Sequence, residues 1–180
     1  TYQIFSNIAN NINFGSTLFA STKIMQRTVE KRISNIKDYN LFVVKELNNY
    51  INTDYVLIMQ GDGYPINISA WKNEYLAYDY IGAPWYNQPW PIDKTVGNGG
   101  FSLRSKRFLE ESSKLPYDGN LPEDVFLCRE VDSEIKSKGL RFANHDMAYT
   151  FSVEDMPYKG QFGFHGKGTI AINRRFGVFK

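Results

Sequence analysis

An apolar run leads directly into an acid in the segment Tyr55-Val56-Leu57-Ile58-Met59-Gln60-Gly61-Asp62-Gly63. The first five residues have the length and composition of a buried strand, so we predict β-structure over Tyr55–Met59. Asp62 would then lie between two glycines just beyond the C-terminal end of that strand. In open α/β sheets this edge is where ligands bind. The segment therefore predicts both a fold class and the place of a site.

The flanking sequence predicts alternating helices and strands, which is typical of α/β proteins. We expect a helix over Tyr39–Tyr50 capped by Asp38, and a short helix capped by Ser69. Further helices are predicted at Ser105–Lys114 and at Glu123–Lys138, the latter ended by Gly139. The other predicted strands are Tyr2–Phe5, Thr22–Met25, Tyr80–Gly82, Phe101–Arg104, Leu140–Ala143 and Met147–Val153.

Length and composition favour one ordinary globular domain, residues 1–180. The chain has 180 residues, 42% of them hydrophobic and 22% charged, which is enough to bury a core. A net charge of +2 without a Lys/Arg block gives no support for nucleic-acid binding. Lys23–Lys37 is mildly basic and is interpreted as a solvated face.

Two features of the sequence favour a cytoplasmic location. No apolar run approaches the ~20 residues of a membrane helix, so we predict no transmembrane segment and no signal peptide. Cys128 is the only cysteine, which rules out an internal disulfide and agrees with a reducing compartment.

Three further clusters follow the first acid and carry the functional hypothesis. They are Val96-Gly97-Asn98-Gly99-Gly100-Phe101, Pro122-Glu123-Asp124 and Phe162-Gly163-Phe164-His165-Gly166. The loop Gly97–Gly100 lets backbone N–H groups and the Asn98 amide approach a polar ligand. It lacks the Gly-Lys-Ser/Thr ending of a Walker-type loop and the helix of a dinucleotide fingerprint. A tight turn before the next strand is an equally good interpretation.

Each acid also has an alternative without chemistry. Asp62 flanked by glycines can hold a metal or phosphate without crowding, but Asp-Gly is also a common turn. Glu123 and Asp124 at a helix start can complement the helix dipole, or one of them can act as a general base.

His165 becomes informative only if the fold brings it back to Asp62. A lone histidine is usually structural, and His145 is interpreted in that way. An imidazole beside a carboxylate would bind a divalent transition ion, and Mn²⁺ tolerates this mix better than Mg²⁺ does. The aromatic residues between the first acid and the glycine loop would stack on sugars or bases, or fill a core. They are Tyr75, Tyr78, Tyr80, Trp85, Tyr86 and Trp90.

Together these motifs resemble the GT-A class of nucleotide-sugar glycosyltransferases. The closest likeness is a little-characterised family with a strand followed by Gln-x-Asp-Gly, here Gln60–Gly63. Its other long motifs are Tyr-Asp-Tyr-Ile-Gly-Ala-Pro-Trp at Tyr78–Trp85 and Gly-Asn-Gly-Gly-Phe-Ser-Leu-Arg-Ser at Gly97–Ser105. The likeness extends over about Ile36–Gly166. It implies a Rossmann-like α/β fold with a mixed, mainly parallel sheet flanked by helices.

The resemblance also implies a donor-binding site with a divalent metal, Mn²⁺ rather than Mg²⁺. Asp62 resembles the last acid of the GT-A metal motif, and His165 the late histidine that completes the metal shell. Gly97, Asn98, Gly99 and Gly100 resemble the loop beside the donor sugar. We expect Gln60, Trp85 and Arg104 to be donor contacts as well, although Arg104 is as readily interpreted as a structural ion pair.

The activity implied is transfer of a sugar from a nucleotide-diphosphate donor to a glycan or lipid-linked acceptor. Asp124 resembles the base of an inverting enzyme, with Glu123 beside it as a second catalytic candidate. A lipid-linked acceptor would associate the protein with membranes through its partners.

Two departures from the GT-A pattern leave alternatives open. Gln60 stands where the metal motif usually has its first acid, which predicts either a weaker metal affinity or only a partial dependence on metal. The chain also begins with what resembles the second strand of the fold, which favours a piece of a longer protein. A non-catalytic carbohydrate-binding module on the same fold is the main alternative. A glycoside hydrolase using Asp62 and Asp124 ranks last.

Overall fold

The structure is a computed structural model that describes residues 33–86, 89, 91, 94–175, 177 and 179. The strands predicted at Tyr2–Phe5 and Thr22–Met25 lie outside the described residues, as do Trp90 and residues 23–32 of the basic stretch. Within the described part no helix is long and apolar enough to cross a membrane.

The described chain is a mixed α/β arrangement of short strands and helices. The strands are β1 (Tyr55–Met59), β2 (Gly63–Pro65), β3 (Tyr80–Gly82), β4 (Phe101–Ser105), β5 (Ser152–Glu154) and β6 (Gly163–His165). The α-helices are α1 (Ile36–Leu41), α2 (Lys106–Ser113), α3 (Glu123–Val125), α4 (Asp132–Ser137), α5 (His145–Phe151) and α6 (Lys167–Arg175). Phe42–Glu46 and Phe126–Glu130 are π-helical, and Leu47–Tyr50, Ile68–Ala70 and Asn73–Ala77 are 3₁₀-helical.

Two three-stranded sheets organise these elements. In the first, β4 lies between β1 and β3 and is antiparallel to both, with Met59 opposite Phe101 and Tyr80 opposite Arg104. In the second, β6 lies between an antiparallel β2 and a parallel β5. Three of the four described ladders are therefore antiparallel, and these strands do not display the mainly parallel sheet that we expected.

Strand β4 accounts for this difference in the first sheet. Strands β1 and β3 run in the same direction, as a parallel sheet requires, but β4 is inserted between them in the opposite direction. Periodicity in the sequence identifies a strand but does not state its direction.

The strands β1, β3 and β4 and helix α2 confirm the sequence predictions to within a residue. The first helix begins earlier than predicted, because Asn35 rather than Asp38 is its N-cap. The Asn35 side chain accepts a hydrogen bond from the Asp38 backbone N–H at 2.9 Å, and the Asp38 carboxylate accepts one from the Ser34 N–H at 3.0 Å. These bonds satisfy the Asp38 N–H of the first turn and the N–H of the residue just before the cap.

Other predicted elements are wrong or differently bounded. The strand predicted at Met147–Val153 is helix α5 up to Phe151, because Asn144 caps it by accepting from the Met147 N–H at 2.9 Å. Leu140–Ala143 forms only a bridge from Phe142 to Tyr80. Ser69 lies inside a 3₁₀ turn and caps no helix. The predicted helix Glu123–Lys138 is interrupted at Val131, and Gly139 follows it with the expected positive φ of 75°.

An aromatic cluster packs the two sheets against each other. The Phe101 ring stacks on Phe151 with centroids 4.9 Å apart and also contacts Phe162. A Cβ at Gly163 would overlap the Phe101 ring, so this glycine allows β6 to approach the start of β4. Each buried phenyl ring contributes about 1.5–3 kcal/mol. The cluster thereby holds the end of β6, with His165, beside the loop that precedes β4.

Candidate functional site

Four loop or strand ends meet at one edge of the first sheet. Because β4 is antiparallel to β1, the loop Gly97–Gly100 before β4 lies beside the turn Gln60–Gly63 after β1. Two backbone hydrogen bonds close that turn, from the Gln60 N–H to the Gly63 carbonyl at 3.0 Å and in the reverse direction at 3.1 Å. The turn leads directly into β2, which pairs with β6 and so brings His165 to the same place.

Asp62 and His165 are 103 positions apart in sequence and adjacent in space. The Asp62 Oδ1 atom lies 3.8 Å from His165 Nε2, and Gln60 Oε1 lies 3.2 Å from the same nitrogen. The Asp62 backbone carbonyl also accepts a hydrogen bond from the Gly166 N–H at 2.9 Å. The predicted meeting of the first acid with the late histidine is thus present in the structure.

The other ring nitrogen of His165 contacts a residue that the sequence analysis did not single out. Glu154 Oε1 lies 3.0 Å from His165 Nδ1, and Asn98 Nδ2 lies 3.0 Å from the same ring nitrogen. Burial by itself would lower the pKa of His165, but the hydrogen bond and charge of Glu154 and the charge of Asp62 together raise it. The ring is therefore held in an acidic environment on both sides.

Two glycines leave room for this ring. A Cβ at Gly63 would stand 2.5 Å from His165 Cδ2, and a Cβ at Gly100 would overlap His165 Nε2. Any larger residue at either position would displace the imidazole from its partners. The glycines flanking the site thus have a steric role that the turn interpretation alone does not explain.

The glycine loop is joined to the acid pair through its backbone. The Gly99 N–H donates to Asp124 Oδ2 at 2.8 Å, and the Val125 N–H donates to Asp124 Oδ1 at 2.8 Å. Asn98 is buried with a φ of 61°, a left-handed conformation that asparagine tolerates better than most residues. Asp124 is half-buried, and each of its oxygens retains a second lone pair for another donor.

Arg104 and Glu123 form a buried, two-pronged ion pair. The Arg104 Nη1 and Nη2 atoms donate to Glu123 Oε2 and Oε1 at 2.9 and 2.8 Å, and the Arg104 side chain has 0% exposure. Burial would lower the pKa of Arg104, but the Glu123 charge raises it, so the guanidinium stays charged. This geometry favours the structural ion-pair interpretation of Arg104 over a donor contact, and it leaves Asp124 as the accessible acid.

The ion pair also supports the glycine loop from beneath. A Cβ at Gly99 would overlap Glu123 Oε1. The Ser102 hydroxyl accepts a hydrogen bond from Arg104 Nε at 3.1 Å and donates one to the Gly99 carbonyl. Glu123 is thus packed under the loop rather than open to a substrate.

The aromatic residues divide between core and site. Trp71 and Tyr75 pack edge to face with each other and with Phe162 or Phe151, as expected for a core. The half-buried Trp85 ring lies where a Cβ at Gly97 would overlap it, with the Arg129 guanidinium 4.4 Å from its centroid. Trp85 therefore forms one wall beside the start of the glycine loop.

Sequence reasoning missed Glu154 and Tyr39. The Tyr39 hydroxyl accepts a hydrogen bond from Gln60 Nε2 at 2.9 Å, which turns Gln60 Oε1 toward His165. Burial, followed by the Glu123 charge, raises the pKa of Tyr39. Its helical spacing in the sequence indicated only packing, and Glu154 stood in a segment without any motif.

The donor set fits a divalent transition ion. Among the described residues no group of three or more His, Cys, Asp or Glu side chains is arranged to share a metal. Asp62, His165 and the Gln60 amide oxygen instead offer a mixed oxygen and nitrogen set, with the ring nitrogen opposite Nε2 bonded to a carboxylate. A carboxylate hydrogen-bonded to the far nitrogen of the imidazole is characteristic of metal-binding histidines. These three residues would hold the ion.

Comparison with known proteins gives a family but no activity. Residues 23–165 match a family described as "Protein of unknown function (DUF5672)", and the match includes every segment of the site up to His165. No curated protein and no solved structure matches the chain. Because the family match covers well over half of the 180 residues, the chain belongs to the DUF5672 family of proteins of unknown function.

Proposed function

We propose that this protein is a metal-assisted glycosyltransferase that moves a sugar from a nucleotide-diphosphate donor to a glycan or lipid-linked acceptor. The observation that carries the proposal is the 3.8 Å approach of Asp62 to His165 beside the glycine loop. An acid and an imidazole so distant in sequence, in a cradle made by two glycines, are better explained by a shared ligand than by turn chemistry.

Different residues at this edge would bind the cation and the donor sugar. Gln60, Asp62 and His165 would hold a divalent cation, Mn²⁺ rather than Mg²⁺ because of the nitrogen donor. Such a cation would neutralise the charge that develops on the departing diphosphate. The glycine loop Gly97–Gly100 would accommodate the donor sugar, with Trp85 as a wall.

Asp124 is the proposed general base. Its carboxylate takes the proton of the acceptor hydroxyl while the acceptor oxygen bonds to the anomeric carbon of the donor sugar. The bond from that carbon to the phosphate oxygen breaks, and the nucleoside diphosphate leaves with the electron pair. Attack opposite the leaving group inverts the anomeric centre. The Gly99 N–H, which donates to Asp124 Oδ2, keeps the base adjacent to the donor loop.

The strand arrangement supports a GT-A-like fold for this domain. Strands β1 and β3 share one direction, and the site lies just past the C-terminal end of β1. This is the edge at which α/β sheets bind ligands. The sheet in this proposal is mixed, with β4 as an opposed strand.

A carbohydrate-binding module that has lost transfer activity is a second candidate, favoured by one observation. Gln60 is a neutral amide that donates to Tyr39 and approaches His165, where the GT-A pattern has an acid. A module of this kind would bind sugar without metal and would be indifferent to Asp124→Asn.

The test is a thermal-shift screen of nucleoside diphosphates with and without Mn²⁺. We expect at least one nucleotide to raise Tm only when Mn²⁺ is present, and Asp62→Ala to abolish that shift. Asp146→Ala, at a fully exposed acid, is the matched control and should behave as wild type. No stabilisation by any nucleotide, with Asp62→Ala indistinguishable from wild type, would refute the proposal. Turnover that survives Asp124→Asn would refute the role of the base.

A further inference from the structure

Glu154 contacts His165 directly, and the proposed function assigns it no role of its own. It lies on β5, which pairs with β6 in parallel register such that Glu154 is opposite His165. Its Oε1 atom is 3.0 Å from Nδ1, and both side chains are largely buried, with 19% and 17% exposure. The Asp62 and Gln60 oxygens lie on the other side of the ring, near Nε2.

The partners of the two ring nitrogens favour opposite tautomers. A proton on Nδ1 satisfies the Glu154 carboxylate, but it leaves the Nε2 lone pair facing the neutral Gln60 Oε1 at 3.2 Å and takes the ring acceptor from Asn98 Nδ2; Asp62 Oδ1, at 3.8 Å, is beyond hydrogen-bond distance. A proton on Nε2 satisfies Gln60 Oε1 and lets Nδ1 accept from Asn98 Nδ2, but it places a buried carboxylate against a lone pair. A hydrogen bond to a charged acceptor is about twice as strong as a neutral one. The carboxylate therefore decides the outcome.

We propose that Glu154 is a positioning residue that keeps the His165 proton on Nδ1 and so presents Nε2 as a ligand. Through the ring it also supplies the negative charge that Gln60, as an amide, does not bring to the site. The inference rests on the proposed metal site, which it deepens. A carboxylate hydrogen-bonded behind an imidazole raises the basicity of the ring toward a metal.

The first test observes the ring without any metal. Nitrogen-15 NMR of the His165 ring at pH 8 should show the Nδ1–H tautomer in the wild type. In Glu154→Ala the remaining partners, Asn98 and Gln60, should move the proton to Nε2. Asp155→Asn, which removes the exposed neighbouring carboxylate, is the matched control and should leave the tautomer unchanged. A wild-type ring protonated on Nε2, or no change in Glu154→Ala, would overturn the proposal.

The second test measures Mn²⁺ affinity by titration calorimetry. Glu154→Ala should weaken Mn²⁺ binding about 10–100-fold. Adding Gln60→Glu to that variant should recover most of the loss, because a carboxylate directly at the cation then replaces the missing charge. Failure of Gln60→Glu to recover any affinity would overturn the charge argument. If the tautomer switches as expected but wild type binds no Mn²⁺, the proposed function fails while the positioning of the ring by Glu154 stands.

Discussion

Gly100 determines how closely the glycine loop approaches the His165 ring. Its missing side chain leaves the space that the Nε2 edge of the imidazole fills, and a Cβ there would overlap that edge. The ring is held at both nitrogens, so it cannot rotate away without losing the Glu154 or the Gln60 contact.

We therefore expect Gly100→Ala to weaken Mn²⁺-dependent nucleotide binding at least 10-fold. The cost in unfolding free energy should be about 1–3 kcal/mol, as for other overpacked sites. Calorimetric titration and chemical denaturation measure the two effects. Gly160→Ala, where a Cβ meets open space, is the control: it should lose stability through its positive φ of 97° but leave binding unchanged. Wild-type binding by Gly100→Ala would show that His165 does not contribute to the donor site.

Helix α4 depends on a charge cluster at its first turn. Asp132 is buried and accepts hydrogen bonds from Lys94 and Lys136, each at 2.9 Å. Burial would raise the pKa of Asp132, but the two lysine hydrogen bonds lower it overall. The contact with Lys94 ties the loop before β4 to this helix.

The lowered pKa gives a pH dependence of stability. A carboxyl with a depressed folded pKa stabilises the protein above its unfolded value, about 3.9, and loses that contribution as pH falls through the folded value. Asp132→Asn should therefore lower the unfolding free energy at pH 7 by about 1 kcal/mol, since both lysines are partly exposed. The difference from wild type should shrink below about pH 4. Denaturation curves at several pH values, with Glu134→Gln as an exposed control, test this; a pH-independent difference would contradict it.

The elements that could be predicted from sequence are those specified by local pattern. Strand β1 is an isolated apolar run, and helix α2 has its N-cap at Ser105. The local sequence therefore indicates where each of these elements begins or ends. The apolar spacing of Met147–Val153 favours a strand, but the Asn144 cap makes the segment up to Phe151 helix α5. Strand direction was also unpredictable, since the opposed orientation of β4 depends on its partners.

The sequence motifs predict that Asp62 and His165 meet, but not which other residues contact them. Asp62 and His165 could be matched by the order of motifs, but Glu154 reaches the ring only through the parallel pairing of β5 with β6. The sequence also leaves two interpretations of Arg104, a donor contact or a structural ion pair. Only the folded chain shows that both of its terminal nitrogens donate to Glu123.

The pair formed by Arg104 and Glu123 links the central strand to the helix that carries Asp124. Removing one partner leaves an uncompensated charge in the core, which costs about 3–5 kcal/mol. We expect Arg104→Met to destabilise by that amount and to lose the position of Asp124. Adding Glu123→Gln to Arg104→Met should recover part of the stability, because the buried charge is then gone.

Chemical denaturation of both variants measures this coupling. Arg107→Met is the matched control, since the exposed Arg107 donates to the Lys138 carbonyl at the surface and its loss should cost little. A double variant less stable than Arg104→Met alone would contradict the interpretation of the pair as a compensated buried charge.

The division of the chain into two sheets has a consequence for motion. Asp62, Glu154 and His165 are all anchored to the β2–β6–β5 sheet, whereas the glycine loop and Asp124 are anchored to the sheet of β4. Sliding one sheet against the other would leave Asp62 and His165 together yet alter their separation from Asp124 and from Gln60, which directly follows β1. The distance from the proposed cation site to the proposed base therefore depends on how the two sheets pack, and the contact between Asn98 and His165 connects the two sides.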